Sequence, residues 1–501
     1  MGSCCSDDRS RDLPHPKAEG EPGPQPTQQG NQYRARLKPL GQDFRVQYRQ
    51  VAQLKETALQ SISIIEHTRS HIQRVLRQVT KNDESTASGK TANSNFRTGV
   101  LALQALDHPN ITRLYEAYED KGYFYMVYER VEGGTVLDNL SFSQKHTEYS
   151  VCSIISQVLA GLSYCHSRGV VHKNLHVKNL LLLKHKGSQQ VKIIGLESQG
   201  RFAAEQRLSI PIEFLSFAAP EMFNRIYTEK GDVWSCGVIL HLLLSGNLPF
   251  GGNWKEQRGG ILSKEVAFPK NIWRDISAEG KALVSAMLAK DAEARPTALQ
   301  CLEMPWVLQN SQAASVETAE IPLQRLQHFN GNMQIKETIL VYVSKHLQGA
   351  GENRQIEELF RNLDTNKDGK LSKSELISGY SQIMEQEKAT ELVESVMQAV
   401  DLDNSGFVDF SEFLFASSDP IYMLSNDNLR ELFQLLDRDH DGTISLEEFE
   451  RTFELSKASR SCWQEMITQA DVSGDGKLTL REFSGLLKRA VGLDHRDNRR
   501  E

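Results

Sequence analysis

The stretch DTNKDGKLSKSE, residues 364–375, defines the architecture of the C-terminal third of this chain. Three further segments repeat its pattern: DLDNSGFVDFSE at 401–412, DRDHDGTISLEE at 437–448 and DVSGDGKLTLRE at 471–482. Each begins with Asp, has Gly at position 6, carries an apolar residue at position 8 and ends with Glu. Because amphipathic segments flank every repeat, residues 353–490 are predicted to form a tandem array of helix–loop–helix units.

The residue types in these loops are those that bind calcium. Ca²⁺ takes about six to eight oxygen ligands, and an EF-hand loop supplies them from positions 1, 3, 5, 7, 9 and 12. The predicted ligands, with backbone carbonyls at position 7, are Asp364, Asn366, Asp368, Lys370 and Glu375; Asp401, Asp403, Ser405, Phe407 and Glu412; Asp437, Asp439, Asp441, Thr443 and Glu448; and Asp471, Ser473, Asp475, Lys477 and Glu482. Two alternatives stay open: an acidic surface that matches by chance, and single loops that no longer bind.

Composition describes a multidomain globular protein. The chain has 501 residues, of which 39% are hydrophobic and 25% charged, and this length is enough for several cores. No apolar run is long enough to cross a bilayer, which argues against an integral membrane protein. The seven cysteines have no metal-type spacing, so neither a zinc site nor a disulfide framework is predicted and a reducing compartment is expected.

Charge and patterning divide the chain into five regions. Residues 351–501 hold 31 Asp and Glu against 18 Lys and Arg, so acid is concentrated around the calcium loops. Apolar residues from Leu323 to Val343 recur at helical spacing, and this segment is expected to dock on another surface. The predicted regions are a disordered tether at 1–43, a mixed globular domain at 44–307, an amphipathic junction at 308–352, the four EF-hands at 353–490 and a charged tail at 491–501.

The mixed domain contains a series of short motifs. They are LDHPNITRLYEAYED (106–120), MVYERVEGG (126–134), VVHKNLHVKNLLL (170–182), APE (219–221), DVWSCGVIL (232–240), LPFGG (248–252) and KDAEARPTALQCLEMPWV (290–307). In order and spacing they resemble a protein kinase domain. With the junction and EF-hands behind it, the chain resembles calcium-dependent protein kinases over nearly its whole length. The resemblance implies a multidomain α+β architecture, in which a two-lobed protein-kinase-like fold precedes an all-α calmodulin-like EF-hand domain.

The residues that carry phosphoryl transfer in that family are replaced here. The glycine-rich stretch aligns with residues 55–61 (KETALQS), which contain no glycine to bring backbone amides over phosphates. The strand lysine falls on Arg77 and its helix glutamate on Gly99. The catalytic aspartate falls on Asn174, and the magnesium aspartate falls on Gly195.

These replacements predict loss of catalysis. An amide is not a usable base near neutral pH, and phosphoryl transfer depends on charge neutralisation by the missing groups. Asn179 is retained from the family's metal ligands, and Glu197 and Arg77 remain candidates for weak metal and phosphate contacts. The replacements speak against Mg-ATP as a cofactor, whereas Ca²⁺ is expected.

Other family residues with structural roles are kept. Glu221 and Arg295 match a buried ion pair, and Asp232 matches the carboxylate that braces the catalytic loop. His172 and Leu196 match members of a hydrophobic spine. The sequence therefore predicts a folded kinase-like body without its chemistry.

The resulting hypothesis is a calcium sensor coupled to a pseudokinase that acts as a scaffold or allosteric regulator in calcium signalling. Its partners are expected to be proteins, such as a client kinase, and not nucleic acid, and a monomer is expected. The alternative is a calcium-dependent serine/threonine kinase that uses ATP, and a plain calcium buffer is a third reading.

The amino terminus predicts membrane attachment. The start MGSCCS matches the N-myristoylation pattern at Gly2, with Cys4 and Cys5 as neighbouring palmitoylation candidates. One acyl chain binds a membrane marginally, whereas two anchor a protein stably. A cytoplasmic protein held on the surface of a membrane, expected to be the plasma membrane, follows; an unmodified disordered start is the alternative.

Overall fold

The computed structural model describes most of the kinase-like and EF-hand regions. The described residues are 37–39, 42–57, 59–139, 147–185, 188–196, 212–224, 226–310, 316–328, 353–401, 404–419, 423–453, 464, 467–468 and 470–490. The predicted lipidation residues Gly2, Cys4 and Cys5 lie outside these residues, as do Glu197 and Asp403. The charged tail and residues 329–352 of the junction also lie outside them.

A six-stranded sheet and one long helix form the first lobe. The elements are β1 (Lys38–Pro39), α1 (Gln42–Gln47), β2 (Tyr48–Glu56), β3 (Gln60–His67), β4 (Gln73–Thr80), α2 (Ala87–Gln104), β5 (Leu114–Glu119) and β6 (Tyr123–Glu129). The strand order is β1-β5-β6-β4-β3-β2, antiparallel except where β1 meets β5. Helix α2 is capped by Thr86, whose side chain accepts the N–H of Gly89, and its apolar face covers the sheet through Phe96 and Val100.

The second lobe is mainly helical. Its elements are α3 (Val136–Asn139), α4 (Glu148–Ser167), β7 (Leu180–His185), β8 (Ser188–Ile193), α5 (Glu229–Ser245), α6 (Trp254–Ser263), α7 (Lys270–Trp273), α8 (Ala278–Met287), α9 (Ala298–Leu302) and α10 (Pro305–Asn310), with 3-10 helices at Val177–Asn179, Ile212–Phe217 and Pro220–Asn224. Helices α4 and α5 are apolar nearly all round and form the centre of one large core. A helix of this kind must be buried on every side, which is why both lie inside the lobe.

The C-terminal region contains paired helix–loop–helix units. Its elements are α11 (Val316–His328), α12 (Asn353–Leu363), β9 (Lys370–Leu371), α13 (Lys373–Tyr380), α14 (Gln386–Val400), β10 (Val408–Asp409), α15 (Phe410–Ser417), α16 (Asn426–Leu436), β11 (Thr443–Ile444), α17 (Leu446–Phe453), β12 (Leu478–Thr479) and α18 (Leu480–Ala490). The position-8 residues join the loops in pairs, since Leu371 lies opposite Val408 and Ile444 opposite Leu478. All four side chains are fully buried.

The loop sequence also starts the helix that follows it. In the first loop, Ser372 accepts the N–H of Glu375, and the Glu375 side chain accepts the N–H of Ser372. In the second loop, Asp409 and Glu412 make the same reciprocal pair. This capping box satisfies amides at the helix start, so one pattern specifies both the loop and its exit helix.

The described part of the junction packs on the first EF-hand pair. Leu323 and Leu326 of α11 are buried in the same core as Phe360. The Tyr380 hydroxyl donates to the carbonyl of Leu323 at 2.8 Å. The docking surface expected for this segment is therefore an EF-hand surface, as far as residue 328.

A short strand lies near the start of the described residues. Lys38–Pro39 pairs with Tyr118 and Glu119 of β5, so a strand lies inside the segment expected to be a tether to residue 43. This pairing uses backbone groups, which a side-chain pattern does not reveal.

Among the residues that the structure describes, no helix combines the length and apolar character needed to span a bilayer.

Candidate functional site

The four predicted calcium loops share one backbone conformation. Position 6 has φ between 76° and 87° in each, at Gly369, Gly406, Gly442 and Gly476. Glycine adopts this left-handed conformation without the steric cost that a Cβ imposes. Position 4 also has positive φ, at Lys367, Asn404, His440 and Gly474. The backbone therefore turns sharply at positions 4 and 6 of each loop.

The position-1 carboxylates are held inside the loops by the position-6 glycines. The Oδ2 atoms of Asp364, Asp401, Asp437 and Asp471 accept the glycine N–H at 3.0, 2.8, 3.1 and 2.7 Å. In loops 1, 3 and 4 the position-12 glutamate closes the opposite end of the loop: Glu375 accepts the N–H of Thr365 at 2.9 Å, Glu448 that of Arg438 at 2.7 Å and Glu482 that of Val472 at 2.8 Å. These oxygen groups fit a hard divalent cation such as Ca²⁺.

Loop 3, residues 437–448, brings three carboxylate side chains together. Carboxylate oxygens of Asp437, Asp439 and Asp441 lie within 4.8 Å of one another. The Oδ1 atom of Asp437 is buried and accepts no hydrogen bond, and such an atom is costly unless it finds a partner. Lys477 Nζ lies 2.5 Å from Asp441 Oδ2 and lowers the pKa of Asp441 to about 2. Burial raises the pKa of Asp437, so within loop 3 the ionised form is favoured at Asp441 and opposed at Asp437.

Loop 1 instead lies against the kinase-like body. A Cβ added to Gly369 would lie 2.1 Å from the ring of Tyr164 on α4, and Arg168 donates to the carbonyl of Asp368 at 3.3 Å. Burial raises the pKa of Asp364 to about 7. Ionising this ligand is therefore harder than ionising a solvent-exposed aspartate.

The kinase-like catalytic loop is held in place by Asp232 of α5. Its carboxylate accepts the N–H groups of His172 and Lys173 at 2.7 and 2.9 Å. It also lies 3.0 Å from Nε2 of His166. A buried carboxylate with this many donors keeps its partners in one arrangement. Asp232, which the sequence matched to the family's bracing carboxylate, thus holds the catalytic loop in place.

In that loop an amide, Asn174, stands where the family has its catalytic carboxylate, and Asn179 is retained. Asn179 Nδ2 donates to the carbonyl of Asn174 at 2.9 Å. Gly195 has φ of 92°, and a Cβ built on it would lie 2.9 Å from Asn179 Nδ2. The space beside Asn179 therefore holds a glycine backbone, with no carboxylate from position 195 to hold a metal ion.

The phosphate-binding side of the cleft is also rebuilt. Thr57 donates through its N–H and hydroxyl to the carbonyl of Gln60 at 2.8 and 3.1 Å, which closes the β2–β3 hairpin tightly. Gln60 Oε1 accepts Nη2 of Arg77 at 2.8 Å. Gly99 lies on the buried face of α2, so it offers no carboxylate to Arg77. The two replacements at 60 and 77 thus bond to each other across adjacent strands.

These residues do not fit Mg-ATP in the way the family binds it. Arg77 is engaged by Gln60, and the hairpin has no glycine between 55 and 61. Positions 174 and 195 supply no carboxylate. A divalent ion with nucleotide phosphates needs carboxylate ligands, and the matched positions lack them.

His176, which stands where the family has a lysine, gives a pH prediction. Burial, helped by the charges of His172 and Lys178, lowers the pKa of His176 to about 3. Below pH 6.5 this imidazole therefore binds a proton in the unfolded chain but stays neutral in the folded chain. The free energy of unfolding falls as pH drops from 6.5 toward 3. We expect the buried, neutral His176 to lower the free energy of unfolding by about 2 kcal/mol at pH 5, relative to neutral pH.

The His176→Asn variant tests this pH dependence. Its melting temperature should fall less than that of the parent between pH 7.5 and pH 5, as measured by differential scanning calorimetry. From pH 7.5 to pH 8.5 the two proteins should change in parallel. Equal losses at acid pH would contradict a buried neutral His176.

The retained structural residues hold the two lobes together. Leu196 is buried with Leu103 of α2 and Ile111. His172 is fully buried, and its Nε2 lies 2.9 Å from the carbonyl of Ile194. Lys192 of β8 and Glu129, at the end of β6, form a buried ion pair at 3.2 Å. The kinase-like shape therefore persists although its reactive groups are replaced.

Contacts between EF-hands and the kinase-like body were not predicted from the sequence. Asp107 accepts the N–H of Ser411 at 2.9 Å and pairs with Arg113 at 2.9 Å. Arg69 reaches Asp437 in loop 3. The EF-hand and body residues of the two contacts are 304 and 368 positions apart along the chain, and their motifs do not specify that they meet, so a single sequence carries no signal for the contacts.

Comparison with known proteins agrees with both halves of the structure. Residues 64–307 match the protein kinase domain family, and residues 353–418 and 426–488 match the EF-hand domain pair family. Calcium-dependent protein kinase 4 of Plasmodium falciparum is 31% identical over 417 residues, covering 79% of this chain and 78% of that protein. Calcium-dependent protein kinase 14 of Arabidopsis thaliana is 31% identical over 411 residues, covering 80% and 76%.

A rice relative gives the same result. Calcium-dependent protein kinase 3 of Oryza sativa subsp. japonica is 31% identical over 393 residues, covering 77% of this chain and 70% of that protein. The two-lobed kinase fold, the EF-hand domain and its capacity for Ca²⁺ follow from these matches. The chain belongs to the calcium-dependent protein kinase family.

Proposed function

We propose that this chain is a calcium sensor whose kinase-like body acts by binding other proteins and not by phosphoryl transfer. The observation that carries the proposal is the cleft itself: Arg77 is bonded to Gln60, and positions 174 and 195 hold Asn and Gly where the family has carboxylates. The cation on the phosphate side of the cleft is thus already hydrogen-bonded, and the base and the metal carboxylate are absent from their matched positions. A cleft built this way supplies little charge stabilisation to a transferring phosphoryl group.

Calcium is the input in this proposal. The EF-hand loops contact the body directly, through Tyr164 at loop 1 and Arg69 at loop 3. Filling a loop changes the charge and the helix angles of its EF-hand pair. Such a change alters the surface that the body and α11 present to a partner. A client kinase is the proposed partner, for which this chain serves as scaffold or allosteric regulator.

The alternative function is calcium-dependent phosphorylation of serine or threonine. The names of its relatives favour it, since those proteins are calcium-dependent protein kinases. The same fold nevertheless carries many functions, and activity has to be argued from the site. The site residues of this chain favour the sensor without phosphotransfer.

Thermal denaturation separates the two functions. The purified full chain is heated with calcium or with chelator, each with and without Mg-ATP. Calcium should raise the melting temperature because it binds the folded loops, and Mg-ATP should change neither curve. A large Mg-ATP shift in the calcium-loaded chain would restore the kinase reading, and the absence of any calcium shift would contradict the sensor.

We also propose a membrane location for this sensor. The support is the MGSCCS start, which offers Gly2 for myristate and Cys4 and Cys5 for palmitate. Two acyl groups give stable attachment. The cytoplasmic face of the plasma membrane is the proposed site, with the chain acting there as a monomer.

A further inference from the structure

The turn between β3 and β4 of the kinase-like body contacts calcium loop 3. Arg69 Nη1 donates to Asp437 Oδ2 at 3.3 Å, and Nη2 donates to the carbonyl of His440 at 3.2 Å. Asp437 is 1% exposed, whereas Arg69 is 37% exposed. A cation from one domain therefore pairs with the position-1 calcium ligand of another.

The two carboxylate oxygens of Asp437 lie in different surroundings. Oδ2 accepts the N–H of Gly442 at 3.1 Å as well as the Arg69 contact. Oδ1 is buried and accepts no hydrogen bond. The guanidinium thus neutralises the carboxylate from outside the loop while the inner oxygen stays open to a cation.

Charges around this contact are complementary. Loop 3 concentrates the carboxylates of Asp437, Asp439 and Asp441. On the body, Arg74 of β4 is buried, and its positive charge acts on Glu431 of α16. Such a pairing stabilises docking most when the loop carries its full negative charge.

We propose that Arg69 and calcium oppose each other at loop 3. A divalent cation on Asp437 takes over the charge neutralisation that Arg69 provides and repels the guanidinium that shares this carboxylate. Docking of Arg69 therefore lowers the calcium affinity of loop 3, and calcium loosens the contact by the same factor, because coupling is reciprocal. This inference needs calcium binding at loop 3 and is independent of the proposed loss of phosphotransfer.

Calcium titration of the full chain tests the coupling. The triple variant Glu375→Gln, Glu412→Gln and Glu482→Gln leaves only loop 3 with its position-12 carboxylate, and calorimetry follows its calcium binding. Adding Arg69→Gln should tighten the binding about three- to tenfold. Adding Arg69→Lys, which keeps the charge, should leave the affinity near that of the parent. Adding Glu448→Gln should abolish the signal and so identify the site.

A matched control lies on the same sheet. Arg49 of β2 pairs with Glu66 at 2.5 Å within the lobe, so Arg49→Gln removes one positive charge from the body without touching the loop 3 contact. It should leave the affinity unchanged. A fall or no change with Arg69→Gln would overturn the proposal, as would equal increases with Arg69→Gln and Arg69→Lys. If the triple variant binds no calcium, the inference fails while calcium sensing through the other loops stands.

Discussion

Replacing Arg295 by methionine should lower the melting temperature of the kinase-like body by roughly 10 °C, corresponding to about 3–5 kcal/mol. Arg295 has no exposed side-chain surface and pairs with Glu221 at 2.8 Å. It also donates to the carbonyls of Lys230 and Ala289 at 2.6 and 3.0 Å. Methionine fills the space but leaves a carboxylate and two carbonyls without their donor, which is the costly case for a buried pair.

The double variant separates pairing from packing. Adding Glu221→Gln to Arg295→Met removes the carboxylate charge that Arg295→Met leaves unpaired. The double variant should therefore lose less stability than the sum of the losses of the two single variants. Arg274→Met is a matched control, because Arg274 is exposed on the same lobe, and it should change stability by no more than about 0.5 kcal/mol. Scanning calorimetry measures these variants together with the Glu221→Gln single variant. Equal shifts for the Arg295 and Arg274 variants would contradict a structural role for the ion pair.

The fold was readable from the sequence where one local pattern has one structural solution. The EF-hand loops are the clearest case, since Gly442 and its counterparts satisfy a backbone requirement that few residues meet. The apolar residues at position 8 were evident from the sequence, and Ile444 and Leu478 lie opposite each other in the structure. The family motifs likewise implied the two lobes, which the kinase domain match supports.

Contacts that depend on tertiary packing could not be predicted from the sequence. The Arg77–Gln60 bond depends on strand register, since Arg77 lies opposite Ile62, next to the hairpin end. The Arg69–Asp437 contact joins residues in different domains. Each single residue has an ordinary surface interpretation, and only their placement in space shows that they meet.

Calcium-saturated protein should transfer no phosphate from Mg-ATP to itself or to a general substrate above the level of an Arg77→Ala, Asn179→Ala double variant. Loss of the general base alone costs about 10²- to 10⁴-fold in such reactions, and here the metal carboxylate is replaced as well. Incorporation of radiolabelled phosphate is the measurement. The double variant, prepared identically, reports any contaminating kinase.

Restoring one group should not restore activity. Asn174→Asp returns a base, but no carboxylate then stands at position 195 to hold a metal ion. Gly195→Asp alone must place a side chain at φ of 92° against Asn179, so that variant requires the amide to move. Both should stay at background. Calcium-stimulated incorporation by the parent chain that Arg77→Ala abolishes would contradict the proposal, because it would show that the Arg77–Gln60 bond opens for nucleotide.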